Sequence, residues 1–126
     1  MDKTIINSNK APEPIGPYSQ AVFAGNTLYI SGQIAIDRLT GEMKNETIQI
    51  ETEQVMRNLG FILAEAGLGY SNIVKCSIFI KNMHDFANIN EEYSKYFKSN
   101  PPARETVEVS RLPKDVNVEI SCIAVR

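Results

Sequence analysis

Two segments of the chain carry apolar residues at spacings of three and four, the period of a helix with one buried face. The first, residues 47–66, is followed by Gly67, a typical C-terminal stop. Gly60 within it costs about 1 kcal/mol relative to alanine, so packing is expected to compensate. The second, residues 86–97, has Asp85 as its expected N-cap and ends before a pair of prolines. Its apolar stripe consists of Phe86, Ile89, Tyr93 and Phe97.

The remaining segments alternate in polarity as β-strands do. The stretch "VFAGNTLYISG", residues 22–32, predicts two strands joined by a tight turn at Gly25 and Asn26, which tolerate positive φ angles. Three further strands are predicted at 73–81, 103–109 and 117–125. The last two are expected to be adjacent and joined by the turn-favouring "SRLPKD". The order of strand, strand, helix, strand, helix, strand, strand is typical of an α+β fold in which two helices cover one face of a sheet.

The last predicted strand has one apolar side and one mixed side. The apolar side comprises Val118, Ile120, Cys122 and Ala124, and the mixed side comprises Glu119, Ser121, Ile123 and Val125. Sheet surfaces of the mixed kind often pack on a partner, so we expect a homo-oligomer. The alternative is a face of ordinary exposed β-branched residues.

Length and charge limit the class of protein. With 126 residues, the chain has the size of a single domain spanning 1–126. No apolar run approaches the roughly 20 residues that cross a bilayer, and the polar start lacks the apolar core of a secretion signal, so a cytoplasmic protein is expected. The net charge of −2 disfavours nucleic acid as a partner. Cys76 and Cys122 lie in apolar strand-like runs and are expected to be free core thiols.

Two charged residues near the C-terminus could carry chemistry. Arg104 starts a strand in "PPARETVEV", and its planar fork of donors suits a carboxylate or phosphate bound by two parallel hydrogen bonds. Glu119, on the strand expected beside it, points to the uncovered side of the sheet. Partial burial there can lift its pKa toward neutrality and make it a general base. Taken alone, each residue is more often a solvated or ion-paired side chain.

Four more residues could line a ligand site. In "IGPYSQ" a rigid glycine-proline turn presents Tyr18, whose ring is apolar and whose hydroxyl can donate a hydrogen bond. In "ISGQI" the residues Ser31 and Gly32 lie at a strand end, where a missing side chain lets a ligand approach the backbone. A plain strand terminus is the simpler interpretation. Asn90 lies on or beside the apolar stripe of the second helix, where its amide needs partners from the protein or a ligand.

Several other chemistries lack the residues that they need. The one histidine, His84, lies in a predicted turn without the base and orienting group of a serine or cysteine nucleophile. No His, Cys and Asp cluster has metal-ligand spacing, and no phosphate-cradling glycine loop occurs. The sequence therefore predicts no metal site.

Five stretches of the chain, taken in order, carry a family resemblance: "IGPYSQ", "ISGQI", "IVKCSIFIKNMHDFANINEEY", "PPARETVEV" and "RLPKDVNVEISCIAVR". With these stretches the chain resembles the RidA/YjgF family of reactive intermediate (imine/enamine) deaminases. The likeness spans essentially the whole chain. The two C-terminal stretches are the most specific, because they combine an arginine, a fixed strand–loop–strand length and a glutamate. The resemblance implies a chorismate-mutase-like α+β fold, with a mixed β-sheet covered on one face by two helices. It also implies a homotrimer with an interior barrel of sheets and ligand clefts at the subunit interfaces.

The resemblance also implies roles for individual residues. Arg104 matches the family's carboxylate-binding arginine and Glu119 its water-activating acid. Cleft positions of the same motifs correspond to Tyr18, Ser31 with the neighbouring Gly32, and Asn90. Many relatives have a cysteine where this chain has Thr106. A thiol modification there is therefore in doubt, but the backbone N–H of this substrate-binding position can still donate.

The implied substrates are 2-aminoacrylate and related 2-imino and enamino acids, released by pyridoxal-phosphate enzymes and hydrolysed to 2-keto acids and ammonia. No cofactor is implied, because a protonated imine is already a strong electrophile. Two alternatives stay open: an endoribonuclease or translation inhibitor, as some relatives are described, and a non-catalytic module that binds small carboxylates. The acidic pI of about 5.4 disfavours the first.

Overall fold

A computed structural model describes residues 2–126 of the chain. Six strands form one sheet in the order β1-β2-β3-β6-β4-β5, and all neighbours are antiparallel except β4 and β5, which are parallel. The strands are β1 (Lys3–Ile6), β2 (Ala21–Ala24), β3 (Thr27–Gln33), β4 (Ile73–Ile80), β5 (Ala103–Glu108) and β6 (Val118–Val125). The helices are α1 (Ile48–Glu65) and α2 (Phe86–Ser94), and short 3-10 turns precede β4, α2 and β6. The predicted α+β fold, with a mixed sheet and two helices, is confirmed.

The expected adjacency of the last two strands is wrong, because β4 lies between β5 and β6. The chain leaves β4, forms α2 and returns as β5 parallel to β4, so β5 takes the edge of the sheet. Parallel neighbours need a crossover connection of this kind, and a helix supplies it. The short loop after β5 then carries the chain past β4 to pair on its other side.

The predicted β2–β3 hairpin is confirmed. Gly25 has a φ of +59°, and Asn26 completes the two-residue turn. A positive φ at the first central position is typical of hairpin turns that follow the twist of the strands. The edge strand β1 was not predicted, because three of its four residues are exposed and show no alternation.

The helix α1 begins where Thr47 caps it, with the Thr47 hydroxyl accepting a hydrogen bond from the Ile50 N–H at 3.1 Å. Packing explains why a glycine stands at position 60. The Tyr70 hydroxyl donates to the Met56 carbonyl at 2.7 Å, and a Cβ at position 60 would lie 3.0 Å from the Tyr70 Cζ. The phenol ring therefore occupies the space that any larger residue at position 60 would need.

The helix α2 is shorter than predicted, since it ends at Ser94 rather than at 97. Asp85 occupies the N-cap position of α2, as predicted, but its side chain makes no capping hydrogen bond. Asn82 caps the preceding 3-10 turn instead, accepting from the His84 N–H at 2.9 Å. Phe86 is 38% exposed rather than part of a buried stripe.

The core lies between the sheet and the two helices. It is continuous across β2, β3, β4 and β6, and it includes Cys76 and Cys122 as free, buried thiols, as predicted. A buried carboxylate joins the layers: Glu51 in the first turn of α1 accepts from the backbone N–H and the side-chain amide of Asn117, both at 2.8 Å. Asn117 directly precedes β6, so this contact fixes where β6 begins.

No helix in the described part of the chain is long and apolar enough to cross a membrane.

The other face of the sheet carries no helix. A cross-strand row of apolar residues runs over four strands on this open face, and it consists of Ile5, Val22, Tyr29 and Ile123. Tyr29 at the middle of the row is 51% exposed. The mixed face predicted from β6 is therefore present, and it is wider than β6 alone.

Candidate active site

An irregularity in β3 shapes one side of the candidate site. Ile30 pairs with Cys122 and Gln33 pairs with Ile120, so Ser31 and Gly32 together oppose the single residue Ser121. Such a bulge leaves an unpaired residue and bends the strand. The Ser31 hydroxyl donates to the Ser19 carbonyl at 2.6 Å, and its N–H donates to the Gln20 carbonyl at 2.9 Å. These bonds attach the bulge to the segment that precedes β2.

Glu119 lies on the open face beside this bulge, as the alternation of β6 predicted. Burial raises the pKa of its carboxyl above the ordinary value of 4.5, and no hydrogen bond from residues 2–126 offsets that effect. The carboxylate occupies the space above Gly32, where a Cβ would overlap it and would lie 2.8 Å from the Glu119 Cδ. Gly32 thus makes room for the acid rather than for a close ligand alone.

The loop before β2 forms the opposite wall. The Tyr18 hydroxyl accepts from the Ile15 N–H at 3.2 Å, and the Tyr18 N–H donates to the Gly16 carbonyl at 2.9 Å, so the loop folds back on its own tyrosine. Buried Gln20 anchors the loop by donating to the Pro12 carbonyl at 2.9 Å. The resulting cleft of about 350 Å³ is lined by Ile15, Tyr18, Ser31, Gly32, Pro113 and Glu119.

The turn before β6 supplies the last wall of this cleft. Pro113 is followed by Lys114 and Asp115, whose φ angles of 54° and 55° lie in the left-handed region. Two such residues in succession are costly, and strain of this kind often lies close to functional sites. An ion pair of 2.8 Å between the Lys81 Nζ and the Asp115 Oδ1 holds the turn against the end of β4.

Arg104 lies elsewhere, on the helix-covered face of the edge strand β5. Its Nη1 donates to the Asn90 Oδ1 of α2 at 2.5 Å. Its Cζ lies 5.0 Å from the ring centre of Tyr93 and 5.7 Å from that of Phe86. No carboxylate within residues 2–126 forms an ion pair with it. Asn90 was expected on or beside a buried stripe, but it is exposed and uses its amide oxygen to hold the guanidinium.

Thr106 follows Arg104 on the same face of β5, opposite Ile78 of β4. Its hydroxyl oxygen is buried and has no hydrogen-bond partner in the described part of the chain. The hydroxyl therefore points into the protein rather than toward the cleft of Glu119. A contact from this residue to a bound molecule would come from its backbone, at the free edge of the sheet.

The predicted site residues thus fall into two groups on one chain. We call Tyr18, Ser31, Gly32 and Glu119 the acid half-site, and Asn90, Arg104 and Thr106 the arginine half-site. Glu119 pairs with Phe79 of β4, which pairs with Val107 of β5, three residues beyond Arg104. With strands about 4.8 Å apart and a rise of about 3.3 Å per residue, the Arg104 and Glu119 Cα atoms are about 14 Å apart. Their side chains leave opposite faces of the sheet.

The geometry offers little for a metal ion. Within residues 2–126 no group of three or more His, Cys, Asp and Glu side chains is arranged to hold one. His84 lies exposed in the 3-10 turn before α2, where its backbone N–H is used in the cap of Asn82.

Comparison with known proteins identifies relatives that match nearly the whole chain. A RutC family protein of Pyrococcus horikoshii is 51% identical over 97% of each chain. The human 2-iminobutanoate/2-iminopropanoate deaminase is 42% identical over 98% of this chain and 90% of its own length.

Solved structures have the same fold. Escherichia coli TdcF, solved with bound serine, superposes with a TM-score of 0.93 at 41% identity, with 98% of each chain covered. RidA from an Antarctic Psychrobacter species gives a TM-score of 0.94 at 39% identity and covers 98% of this chain and 99% of its own. The family model described as Endoribonuclease L-PSP matches residues 8–126. On these grounds the chain belongs to the RidA/YjgF family, to which the Endoribonuclease L-PSP model refers.

Proposed function

We propose that the protein hydrolyses small 2-imino and enamino acids to 2-keto acids and ammonia. The observation that carries this proposal is the carboxylate of Glu119, which is partly desolvated in a cleft and has no hydrogen-bond partner within residues 2–126. A carboxylate whose pKa is raised by burial is suited to accept a proton near neutral pH. The human relative named as a 2-iminobutanoate/2-iminopropanoate deaminase, and the Arabidopsis thaliana relative named as a reactive intermediate deaminase, support the same chemistry.

The active unit in this proposal is a homotrimer in which the two half-sites come from different subunits. A single chain directs Arg104 and Glu119 away from one another, so one molecule of substrate cannot reach both groups within one subunit. The open face offers a broad apolar surface next to the acid half-site, and the arginine half-site lies at a free strand edge. Packing the open face on further copies would cover the apolar row and bring the edge of a neighbour to the cleft of Glu119.

In the assembled cleft Arg104 would bind the substrate carboxylate. Its Nη1 already donates to Asn90, which leaves the Nε–H and Nη2–H free on the other side of the guanidinium for two parallel hydrogen bonds. Backbone N–H groups at the outer edge of β5 could add a further donor. Such a clamp fixes the imine carbon over the acid, an orientation effect worth about 7–11 kcal/mol at its upper limit.

Glu119 would then act on water and on the leaving group. It takes a proton from a water molecule as the oxygen bonds to the carbon of the protonated imine, which gives a neutral carbinolamine. The same carboxyl gives this proton to the nitrogen and, as the C–N bond breaks, takes the proton of the carbinolamine hydroxyl. The 2-keto acid leaves, and the departing ammonia takes up that last proton, which restores the carboxylate. An imine is consumed with one water for each ammonia released, and no cofactor takes part in these steps.

The walls of the acid half-site indicate the character of the substrate side chain. Ile15, Pro113 and the Tyr18 ring are apolar, so they would pack against an aliphatic side chain rather than a charged one. Small aliphatic imino acids fit this description, including 2-iminopropanoate formed from 2-aminoacrylate.

The proposal is tested by ammonia release from enzymatically generated 2-iminopropanoate and 2-iminobutanoate. The Arg104→Ala and Glu119→Gln variants should lose most of the rate, whereas the exposed charges changed in Arg111→Ala and Glu53→Gln should leave it unchanged. Wild-type rates in both site variants would overturn the assignment. Tight binding of 2-ketobutanoate without turnover would favour a non-catalytic module instead, and RNA cleavage lost with Glu119→Gln would favour a ribonuclease.

A further inference from the structure

The guanidinium of Arg104 rests on an aromatic ring of α2. We propose that Tyr93 is a positioning residue, which holds Arg104 in the orientation for carboxylate binding through its ring and not through its hydroxyl. This inference rests on the proposed function, because it assigns to Arg104 the task of binding the substrate carboxylate.

The Arg104 guanidinium lies over the face of a fixed ring. The Arg104 Cζ lies 5.0 Å from the Tyr93 ring centre, within the distance at which a cation is attracted to a ring face. Tyr93 is itself fixed: it is 5% exposed, and its ring lies 4.8 Å from that of Phe97 at an angle of 44°. Phe86 approaches the guanidinium at 5.7 Å but is 38% exposed, so it forms the looser of the two aromatic walls.

Stacking and hydrogen bonding use different parts of the guanidinium. A ring below the plane attracts the charge and leaves the N–H donors in the plane free. Asn90 accepts from Nη1, which fixes the rotation of the group about its long axis. Tyr93 and Asn90 together therefore leave the Nε–H and Nη2–H edge without a protein partner among residues 2–126.

The hydroxyl of Tyr93 has no comparable task. It is buried beside the Cys76 thiol, and burial raises its pKa so that it stays neutral. A thiol is a weak hydrogen-bonding group, and no regular hydrogen bond joins the two in the described part of the chain, so the hydroxyl brings little gain to the fold. Removing the oxygen should consequently leave the position of Arg104 unchanged, whereas removing the ring should not.

Steady-state kinetics separate these two parts of the side chain. Tyr93→Phe should keep KM and kcat within about twofold of the wild type. Tyr93→Leu and the volume-filling Tyr93→Met should raise KM by about tenfold or more, with a smaller change in kcat, because carboxylate binding is lost before the chemical step. Tyr96→Leu is the matched control, since the Tyr96 ring packs against Tyr70 at 5.1 Å with a tilt of 54°, and within residues 2–126 only Phe86 and Tyr93 lie under the guanidinium.

A second readout does not depend on turnover. The NMR signal of the Arg104 Nε–H should be displaced by the ring current of Tyr93, and Arg104→Lys identifies the signal. The displacement should persist in Tyr93→Phe and Tyr96→Leu and should shrink in Tyr93→Met to the part that the more distant Phe86 ring contributes. A wild type without deaminase activity but with this displaced signal would refute the proposed function and keep the stacking.

The inference is overturned by either of two results. One is a KM in folded Tyr93→Met no higher than in Tyr96→Leu. The other is a tenfold rise of KM in Tyr93→Phe, which would assign the effect to the hydroxyl.

Discussion

Arg104 and Glu119 leave opposite faces of one sheet, with β4 between the strands that carry them. A catalytic site that uses both residues therefore needs at least two copies of the chain. This requirement follows from strand order and register alone, and it can be tested without a structure of the assembly.

Mixed trimers should regain activity that neither parent variant has. If each cleft takes Arg104 from one subunit and Glu119 from the next, every ring that contains both Arg104→Ala and Glu119→Gln subunits has one intact cleft. Random assembly from equal amounts then restores about a quarter of all clefts. Ammonia release after joint refolding measures this recovery, with differently tagged subunits to show that mixed rings formed. Mixed rings without activity would show that the clefts are not built in this way.

Gly32→Ala should abolish most of the activity while the fold stays intact. The new methyl group would overlap the Glu119 carboxylate, and displacing an acid by about 1 Å can cost about 100-fold in rate. The rate of ammonia release and the thermal midpoint measure the two effects separately. Gly69→Ala is the matched control, because nothing lies within 4 Å of a Cβ at that position. Equal rates for both variants would contradict the placement of Glu119.

Tyr29→Glu should dissociate the proposed trimer. The substitution places a charge in the middle of the apolar row on the open face, where burial against another copy would leave it unpaired. Light scattering coupled to size-exclusion chromatography gives the molar mass. Leu39→Glu serves as the control, since Leu39 is 95% exposed in a turn away from the sheet. A trimer that survives Tyr29→Glu would mean that the open face is not the interface.

The pH dependence of kcat/KM should report the raised pKa of Glu119. The base form is needed, so the rate should fall as the pH drops through a pKa above the ordinary 4.5. The sign of the stability effect is also determined. When folding raises the pKa of a carboxyl, the folded protein loses stability as the pH rises through that pKa. The Glu119→Gln protein should therefore be more stable than the wild type at neutral pH. An acidic limb centred at or below 4.5 would contradict the desolvation.

Gly60→Ala should destabilise the protein, although alanine is the better helix former by about 1 kcal/mol. The added methyl group meets the Tyr70 phenol, and overpacking of this kind costs about 1–3 kcal/mol. Urea unfolding measures the change in the free energy of unfolding. In a Tyr70→Phe background the same substitution should cost less, because the oxygen that it meets is gone. A stabilised Gly60→Ala protein would show that the ring moves aside without cost.

The sequence predicted the elements far better than their arrangement. Both helices and five strands were located from the sequence. All of these except β5 have one side in a continuous core, whereas no residue of β5 is buried. The position of β5 could not be read in the same way, since nothing in its own residues states on which side of β4 the chain returns. Placing β5 beside β6 followed from their short loop, and that error also hid the opposite directions of Arg104 and Glu119.

The candidate site was predicted by residue type rather than by surroundings. Arg104, Glu119 and Gly32 were selected from short motifs, but the task of Gly32 depends on a contact with β6 that only the fold brings about. Tyr93 was assigned to the apolar stripe of α2, and its ring is indeed buried there. The spacing that marks a core residue does not reveal which charged group rests on its other face.

The bulge in β3 makes the residues that line the cleft independent of the register that places side chains in the core. Without the additional residue, every side chain after Ile30 would exchange its face, so a change that suits the ligand would disturb the interior. With it, the strand resumes its core pairing at Gln33. The two bulged residues are therefore shaped by the cleft alone, Gly32 to admit the Glu119 carboxylate and Ser31 to hold the segment before β2, while the interior keeps its own register.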